Sequence, residues 1–293
     1  MVSYSWVTLA TNDDYAIGAL VLGESLKKVQ TKYNLHIMIT SEVSQPIKER
    51  LSTVYNSVTL VNVLDSNDKA NLKLINRPDL GVTFTKLNCW RLTQYEKAVF
   101  LDADTLVLQN SDELFEREEF SAAADVGWPD CFNSGVFVFK PSDETYQKLI
   151  DFALTHGSFD GGDQGLLNSF FSSWATGPSS HRLPFIYNMT SGSFYSYAAA
   201  YNKFHKDIKI VHFIGAAKPW NTKDCIHKSE HFCEWRHIYQ ENVSSTLPQQ
   251  YQPAVLTPDE EDQRLKWEQG QPEYWGRDAY ENIQKAVERS MNL

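Results

Sequence analysis

Apolar residues fall along the chain in short blocks that alternate between two spacings. Tyr4 to Thr11 is a nearly continuous apolar run of strand length, and Tyr15 to Lys28 carries Ile17, Leu20, Val21 and Leu26 at near-helical intervals. Leu35 to Thr40 returns to the strand pattern, so the chain opens β-α-β. A helix is predicted from Ser44, with Pro46 in its first turn, and then a strand from Val58 to Val63. Further buried strands are predicted at Ala98 to Leu101, Asn133 to Phe139 and Ile208 to Phe213. Between the last two lie a helix from Asp143 to Leu154 and a glycine-rich turn, Gly157 to Gln164, that opens another helix. Such alternation predicts an α/β fold with a parallel sheet, whose ligands gather at the carboxyl ends of the strands.

The pattern changes after about Gln250. Residues 253–263 are polar, acidic and broken by Pro253 and Pro258, the profile of a linker. Beyond it, residues 264–293 regain aromatics and a helical stripe of Tyr280, Ile283 and Val287. The expected organisation is therefore a domain over 1–252, the linker, and an amphipathic helical tail. At 293 residues and 42% hydrophobic, the chain has enough apolar material for one large core plus such an appendage.

A formal net charge of -10 argues against a nucleic-acid partner, because neutralising phosphates takes clustered Lys and Arg. No apolar run reaches membrane-spanning length, and the first residues lack the basic and apolar regions of a secretion signal, so a cytoplasmic location is expected. The cysteines Cys89, Cys131, Cys225 and Cys233 are too few for a disulfide framework in a chain this long. Asn188-Met189-Thr190 and Asn242-Val243-Ser244 match the glycosylation sequon, which has no use in the cytosol. Cys225, His227, His231, Cys233 and His237 invite a zinc reading, but their spacing fits no structural zinc pattern.

The strand at Ala98 to Leu101 ends abruptly in Asp102-Ala103-Asp104, where a central strand would emerge into a crevice. In an extended backbone, carboxylates two residues apart point to one side and repel unless a cation lies between them. A D-x-D pair also opens the phosphatase motif D-x-D-x-T, yet here the threonine is Thr105 and the required position is Leu106. No G-x-G-x-x-G follows the first strand, which weakens a nicotinamide-cofactor reading.

Four longer segments make the reading specific. They are Leu101-Asp102-Ala103-Asp104-Thr105-Leu106-Val107, Gly127-Trp128-Pro129-Asp130-Cys131-Phe132-Asn133-Ser134-Gly135, Phe159-Asp160-Gly161-Gly162-Asp163-Gln164-Gly165 and His212-Phe213-Ile214-Gly215-Ala216-Ala217-Lys218-Pro219-Trp220. In this order they resemble the glycogenin family, over the stretch from Trp6 to about Asn221. The resemblance implies a GT-A fold, a single Rossmann-like domain with a mixed, mostly parallel sheet, and retaining transfer of glucose from UDP-glucose with Mn²⁺, or Mg²⁺, as cofactor. It assigns Asp102, Asp104 and His212 to the metal and Lys218 to the diphosphate. Leu9, Thr11, Asn12 and Tyr15 would meet the uridine, while Arg77, Lys86, Ala103, Ser134 and Gly215 would complete the donor site. The family carries an aliphatic residue where Phe84 stands, read here as a packing change.

Asn133, Asp160, Asp163 and Gln164 would face the glucose on the same resemblance. Asp163 is the candidate to stabilise or transiently capture an oxocarbenium-like sugar, and it could at the same time cap the helix it opens. Ser193-Phe194-Tyr195-Ser196-Tyr197 resembles the family's self-glucosylated segment, with Tyr195 as acceptor and Ala198-Ala199-Ala200 replacing bulkier residues. The tail resembles the family's glycogen synthase-binding segment, although docking onto its own domain fits the pattern nearly as well. The family further implies a homodimer and a growing glucan as second acceptor. A related transferase acting on a small external acceptor, or a non-catalytic anchor, are the competing readings.

Overall fold

The computed structural model describes residues 3–65, 78–190, 197–215, 218–221 and 230–248. Arg77, Tyr195, Cys225, His227, the linker and the tail lie outside the described residues. The predicted opening is present as β1 (Tyr4–Ala10), α1 (Asp13–Lys28), β2 (Asn34–Ile39), α2 (Gln45–Val54) and β3 (Ser57–Leu60). A 3₁₀ segment, Pro78–Arg91, precedes β4 (Lys97–Leu101), β5 (Thr105–Val107) and β6 (Ser121–Ala124). Then come β7 (Phe132–Phe139), α3 (Asp143–His156), α4 (Asp163–Phe170), β8 (Arg182–Leu183) and β9 (Met189–Thr190). Last come α5 (Ala198–Phe204), β10 (Ile210–His212) and α6 (Glu230–Ile238), followed by a π-helical turn (Tyr239–Val243) and a 3₁₀ turn (Ser244–Thr246).

Seven strands form one sheet in the order β3-β2-β1-β4-β7-β6-β8, and β5-β10-β9 form a second, smaller one. In the large sheet β7 runs antiparallel to both β4 and β6, while the other pairs are parallel. Strand alternation divides the core. Val99 and Leu101 join Trp6, Ile37 and Val138 in one apolar cluster with α1 and α2. Ala98 and Phe100 point the other way, into a cluster with Trp90, Phe137, Leu149 and Leu166. The sheet is thus covered on both faces, which is why its strands read as unbroken apolar runs.

Local chemistry sets the element ends. Asn12 caps α1 by accepting the Tyr15 N–H at 3.0 Å, with Asp13 and Asp14 in the first turn and Lys27 and Lys28 in the last, matching the helix dipole. Gly157, at a φ of 67°, stops α3 two residues beyond the predicted Leu154. β3 is shorter than predicted, ending at Leu60 rather than Val63, because it is the sheet's edge and Leu60 and Val63 are exposed there. β10 likewise starts at Ile210, after Ile208. Strands β5, β6, β8 and β9 span two to four residues, too few for a readable period.

One buried group makes stability depend on pH. His36 on β2 is 1% exposed, held between Tyr95 Oη and Thr59 Oγ1 at 2.9 Å each, and burial lowers its pKa from 6.5 to about 4. The unfolded chain therefore takes up this proton first as pH falls, so the contribution is complete above about pH 6.5 and is lost progressively down to about pH 4. Urea unfolding should lose about 3 kcal/mol more across that window in the unaltered protein than in His36→Gln. Equal slopes for the two would contradict this.

Candidate active site

β4 leaves the sheet at Leu101, and Asp102-Ala103-Asp104 turns sharply: the Thr105 N–H and Oγ1 both donate to the Asp102 carbonyl, at 3.0 and 2.7 Å. The expectation of an extended backbone is corrected here, since a turn brings the two carboxylates together rather than strand alternation. Neighbours pin the turn on both sides. The Asp102 N–H donates to the Gly135 carbonyl at 2.8 Å, and the Phe213 N–H donates to the Asp104 carbonyl at 2.9 Å. Antiparallel pairing of β5 with β10 sets Thr105 opposite His212, which is the last residue of that strand. Ligand atoms of Asp102, Asp104 and His212 consequently lie within 4.8 Å of one another, with His212 Nε2 3.3 Å from Asp104 Oδ1 and 3.9 Å from Asp102 Oδ2.

Two buried lysines face this group. Lys86 Nζ lies 2.9 Å from Asp102 Oδ1 and 2.6 Å from Asp163 Oδ2, and also donates to the Ser134 carbonyl at 3.2 Å. Burial opposes its charge, but Asp102 and Asp163 outweigh that and push its pKa up. Lys218 Nζ pairs with Asp104 Oδ2 and donates to the Phe213 carbonyl at 2.9 Å. Burial likewise works against ionised Asp104, and His212 with Lys218 overcomes it, holding that carboxyl well below the usual range. Burial pushes Asp102 upward, with Asp104 and Asp163 adding to the rise against Lys86 and His212.

The glycine-rich turn supplies the third side. Asp163 is the first residue of α4, but Gly162 occupies the cap position and the Asp163 carboxylate turns inward to Lys86 and Ser134 Oγ, the latter at 2.8 Å. The capping role falls to Asp160, whose Oδ1 accepts the Gly162 and Gly165 N–H groups at 2.9 and 3.0 Å and the Ser158 hydroxyl at 2.8 Å. Burial raises the pKa of Asp160. Gln164 accepts the Ser134 N–H at 3.2 Å and donates to Asp125, as Asn133 does at 2.9 Å.

All these groups open onto a cleft of about 460 Å³ at the carboxyl edge. Its walls bring together Leu9, Thr11, Asn12, Tyr15, Lys86, Asp102, Ala103, Asp104, Asn133, Ser134, Asp160, Asp163, Gln164, His212, Gly215 and Lys218. Every sequence-predicted site residue within the described part is therefore present. Val82, Thr83, Gly135 and Ile214 also line it. Thr83 accepts the Asp163 N–H at 3.0 Å, and its only sequence signal was its place beside Lys86. Asp125 and Asn188 stand behind the wall, and the sequence flagged Asn188 solely as a sequon. That asparagine is 1% exposed, bonded to both Asn133 and His212. Of the cysteine and histidine cluster, His231 meets Tyr201 Oη at 3.1 Å, His237 pairs with Glu241 at 3.1 Å, and Cys233 is exposed. Among the described residues, the group arranged to hold a metal is Asp102, Asp104 and His212.

Solved structures share the fold. The galactosyltransferase LgtC, determined with donor and acceptor sugar analogues, superposes with a TM-score of 0.61 at 17% identity, covering 84% of this chain and 98% of that one. The bifunctional glycosyltransferase WbbM superposes with a TM-score of 0.59 at 20% identity, over 82% and 50% of the two chains. Residues 6–119 and 116–224 match the pattern of glycosyl transferase family 8, and with the mixed sheet and its carboxyl-edge cleft this defines a glycosyltransferase of the GT-A class. Glycogenin-1 of Caenorhabditis elegans is 61% identical over 245 residues, 84% of this chain and 57% of its own length. Glycogenin-1 of Oryctolagus cuniculus is 47% identical over 334 aligned residues, 98% and 99% of the two chains, and Glycogenin-1 of Homo sapiens is 45% identical over 98% and 99%. The chain belongs to the glycogenin family.

Gly135 shows how closely the site is fitted. A Cβ there would lie 2.2 Å from His212 Cε1 and 2.5 Å from Nδ1, distances no side chain tolerates. Gly135→Ala should cost about 1–3 kcal/mol in urea unfolding as His212 is displaced. A variant as stable as its parent would show that the ring has room to move.

Proposed function

We propose that this glycosyltransferase transfers glucose from UDP-glucose to its own Tyr195, with retention at the anomeric carbon, and then extends the attached α-1,4-glucan as a primer for glycogen. The observation that carries the reading is the convergence of Asp102, Asp104 and His212 at a strand-end turn, with Lys218 beside them. Hard carboxylate oxygens with one imidazole fit a divalent ion of the Mg²⁺ or Mn²⁺ kind, and the imidazole favours Mn²⁺. When bound there, the ion supplies positive charge to the departing diphosphate.

The residues of the chain do the rest. Lys218 is buried close enough to share the diphosphate's charge once the donor draws it from Asp104. Leu9, Thr11, Asn12 and Tyr15, at the end of β1 and the start of α1, hold the uridine, Arg77 and Lys86 complete the donor site, and Ala103, Ser134 and Gly215 border it. Asn133, Asp160 and Gln164 orient the glucose. Asp163, kept ready by Lys86 and Ser134, faces the anomeric carbon as charge develops on the sugar. The phenol of Tyr195 loses its proton as the new bond forms, since free phenol ionises only near pH 10.

The relatives named glycogenin over nearly the whole length of the chain support this reading over a small external acceptor. No helix among the described residues is long and apolar enough to cross a membrane, and we place the protein in the cytoplasm. A homodimer would let one protomer's tyrosine reach its partner's cleft. Residues 264–293, tethered by the acidic linker, would hold glycogen synthase near the primer by raising its effective concentration.

Freshly made, unprimed protein incubated with UDP-glucose and Mn²⁺ should gain successive hexoses by intact mass spectrometry. Tyr195→Phe should gain none, and Asp104→Asn should react at least about 100-fold more slowly. UDP release with no mass gain would point to an external acceptor, and neither product would leave a non-catalytic anchor.

A further inference from the structure

Behind His212 runs a chain of hydrogen bonds whose direction is dictated from its far end. Asp125, just past β6, carries a carboxylate, which accepts and does not donate when ionised. Its Oδ2 takes Asn133 Nδ2 at 2.9 Å. Asn133 therefore turns its oxygen the other way, where it accepts the Gly135 N–H at 3.0 Å and Asn188 Nδ2 at 2.9 Å. A backbone N–H only donates, so the orientation of Asn133 is fixed twice over. Asn188, with its NH₂ committed to Asn133, presents its oxygen to His212 Nδ1 at 3.0 Å. An amide oxygen only accepts, so that ring nitrogen carries the proton and, in the neutral ring, Nε2 keeps the lone pair.

The opposite tautomer would gain a donor toward Asp104 Oδ1, 3.3 Å from Nε2, but it is penalised along the whole chain. With the proton on Nε2, the bare Nδ1 would face the Asn188 oxygen, acceptor against acceptor. Flipping Asn188 would only move the clash to Asn133, whose oxygen is held by Gly135. These side chains cannot rearrange freely, because Asn188 is 1%, His212 4% and Asn133 7% exposed. The fold holds the distance as well: β9 pairs with β10 so that Thr190 lies opposite His212, and Asn188 immediately precedes that strand. A carboxylate at 188 would also accept from the ring, yet it would set oxygen against the Asn133 oxygen and add a negative charge to a site that already holds Asp102, Asp104, Asp160 and Asp163. The amide supplies direction without charge.

We propose that Asn188 is a positioning residue that holds His212 in the Nδ1–H tautomer, through a relay running from Asp125 and Asn133, so that Nε2 is presented to a divalent cation beside Asp102 and Asp104. The proposal rests on reading those three residues as a cation site. It also explains why the Asn188 sequon is buried: both ends of its amide are occupied by the relay.

The test is nitrogen NMR of ¹⁵N-histidine-labelled, metal-free protein on the alkaline side of the imidazole titration, with His212 assigned by its loss in His212→Gln. The unaltered protein should show a protonated Nδ1 and a bare Nε2. Asn188→Leu should lose that preference and bind Mn²⁺, followed by the electron paramagnetic resonance of the free ion, about 10- to 100-fold more weakly. Asn188→Asp, which still accepts from Nδ1–H although it gives up the bond to Asn133, should restore the tautomer. A His212 protonated on Nε2 in the unaltered protein would overturn the proposal, as would a leucine variant with unchanged tautomer and affinity. Absence of Mn²⁺ binding by the unaltered protein would instead sink the cation-site reading, while the metal-free spectrum would still decide the tautomer.

Discussion

Three aspartates and two lysines at the carboxyl edge of the sheet, with a histidine beside them, stand or fall together, because charges drawn out of water are tolerated only when they are paired. Lys86 is shared between Asp102 and Asp163, and Lys218 and His212 both face Asp104. Removing one member leaves its partner uncompensated in a water-poor setting, which costs far more than the pair gains. The partners come from four separate stretches of chain. Their pairing therefore ties the 3₁₀ segment, the turn after β4, the start of α4 and the chain beyond β10 into one rigid corner. A donor that brings its own negative charge and a cation can enter this arrangement by exchanging partners rather than by creating new charge.

The sheet topology supplies the corner's geometry. β1 and β4 run parallel and end side by side, so Leu9, Thr11, Asn12 and Tyr15 share one edge with the aspartate turn. β7 runs against β4, which brings its first residues, rather than its last, to that same edge, and with them Asn133, Ser134 and Gly135. The small sheet then delivers His212 from the other side through its pairing with β5. Gly18 in α1 lets the helix lie close against the turn, since a Cβ there would come within 2.6 Å of the Ala103 carbonyl. Glycine is thus used where backbone and ring approach more closely than any side chain allows.

Most of the fold was legible in the order of the blocks, because the strands of a doubly covered sheet are apolar on both faces and the helices between them carry a stripe. β3 and β10 were misjudged by two to three residues at an end, where pairing rather than composition decides. The direction of β7 and the second sheet were not legible, since strand sense and strands of two or three residues leave no period. The site was legible through motifs, and Asp102, Asp104, His212 and Lys218 do meet. The means by which they meet was not, for the aspartates sit in a turn held by Thr105. Asp125 and Asn188 were invisible as site residues because their work is done through Asn133 and His212, and Asn188 carried only the misleading signal of a sequon.

The account turns on a cation held by two carboxylates and one imidazole while it meets a nucleotide diphosphate. Pulsed electron paramagnetic resonance of the protein loaded with Mn²⁺ and UDP measures both contacts at once. Coupling to one imidazole nitrogen, abolished in His212→Gln, together with coupling to phosphorus of the nucleotide, is the result expected. A manganese signal with phosphorus coupling but no nitrogen coupling in the unaltered protein would contradict it.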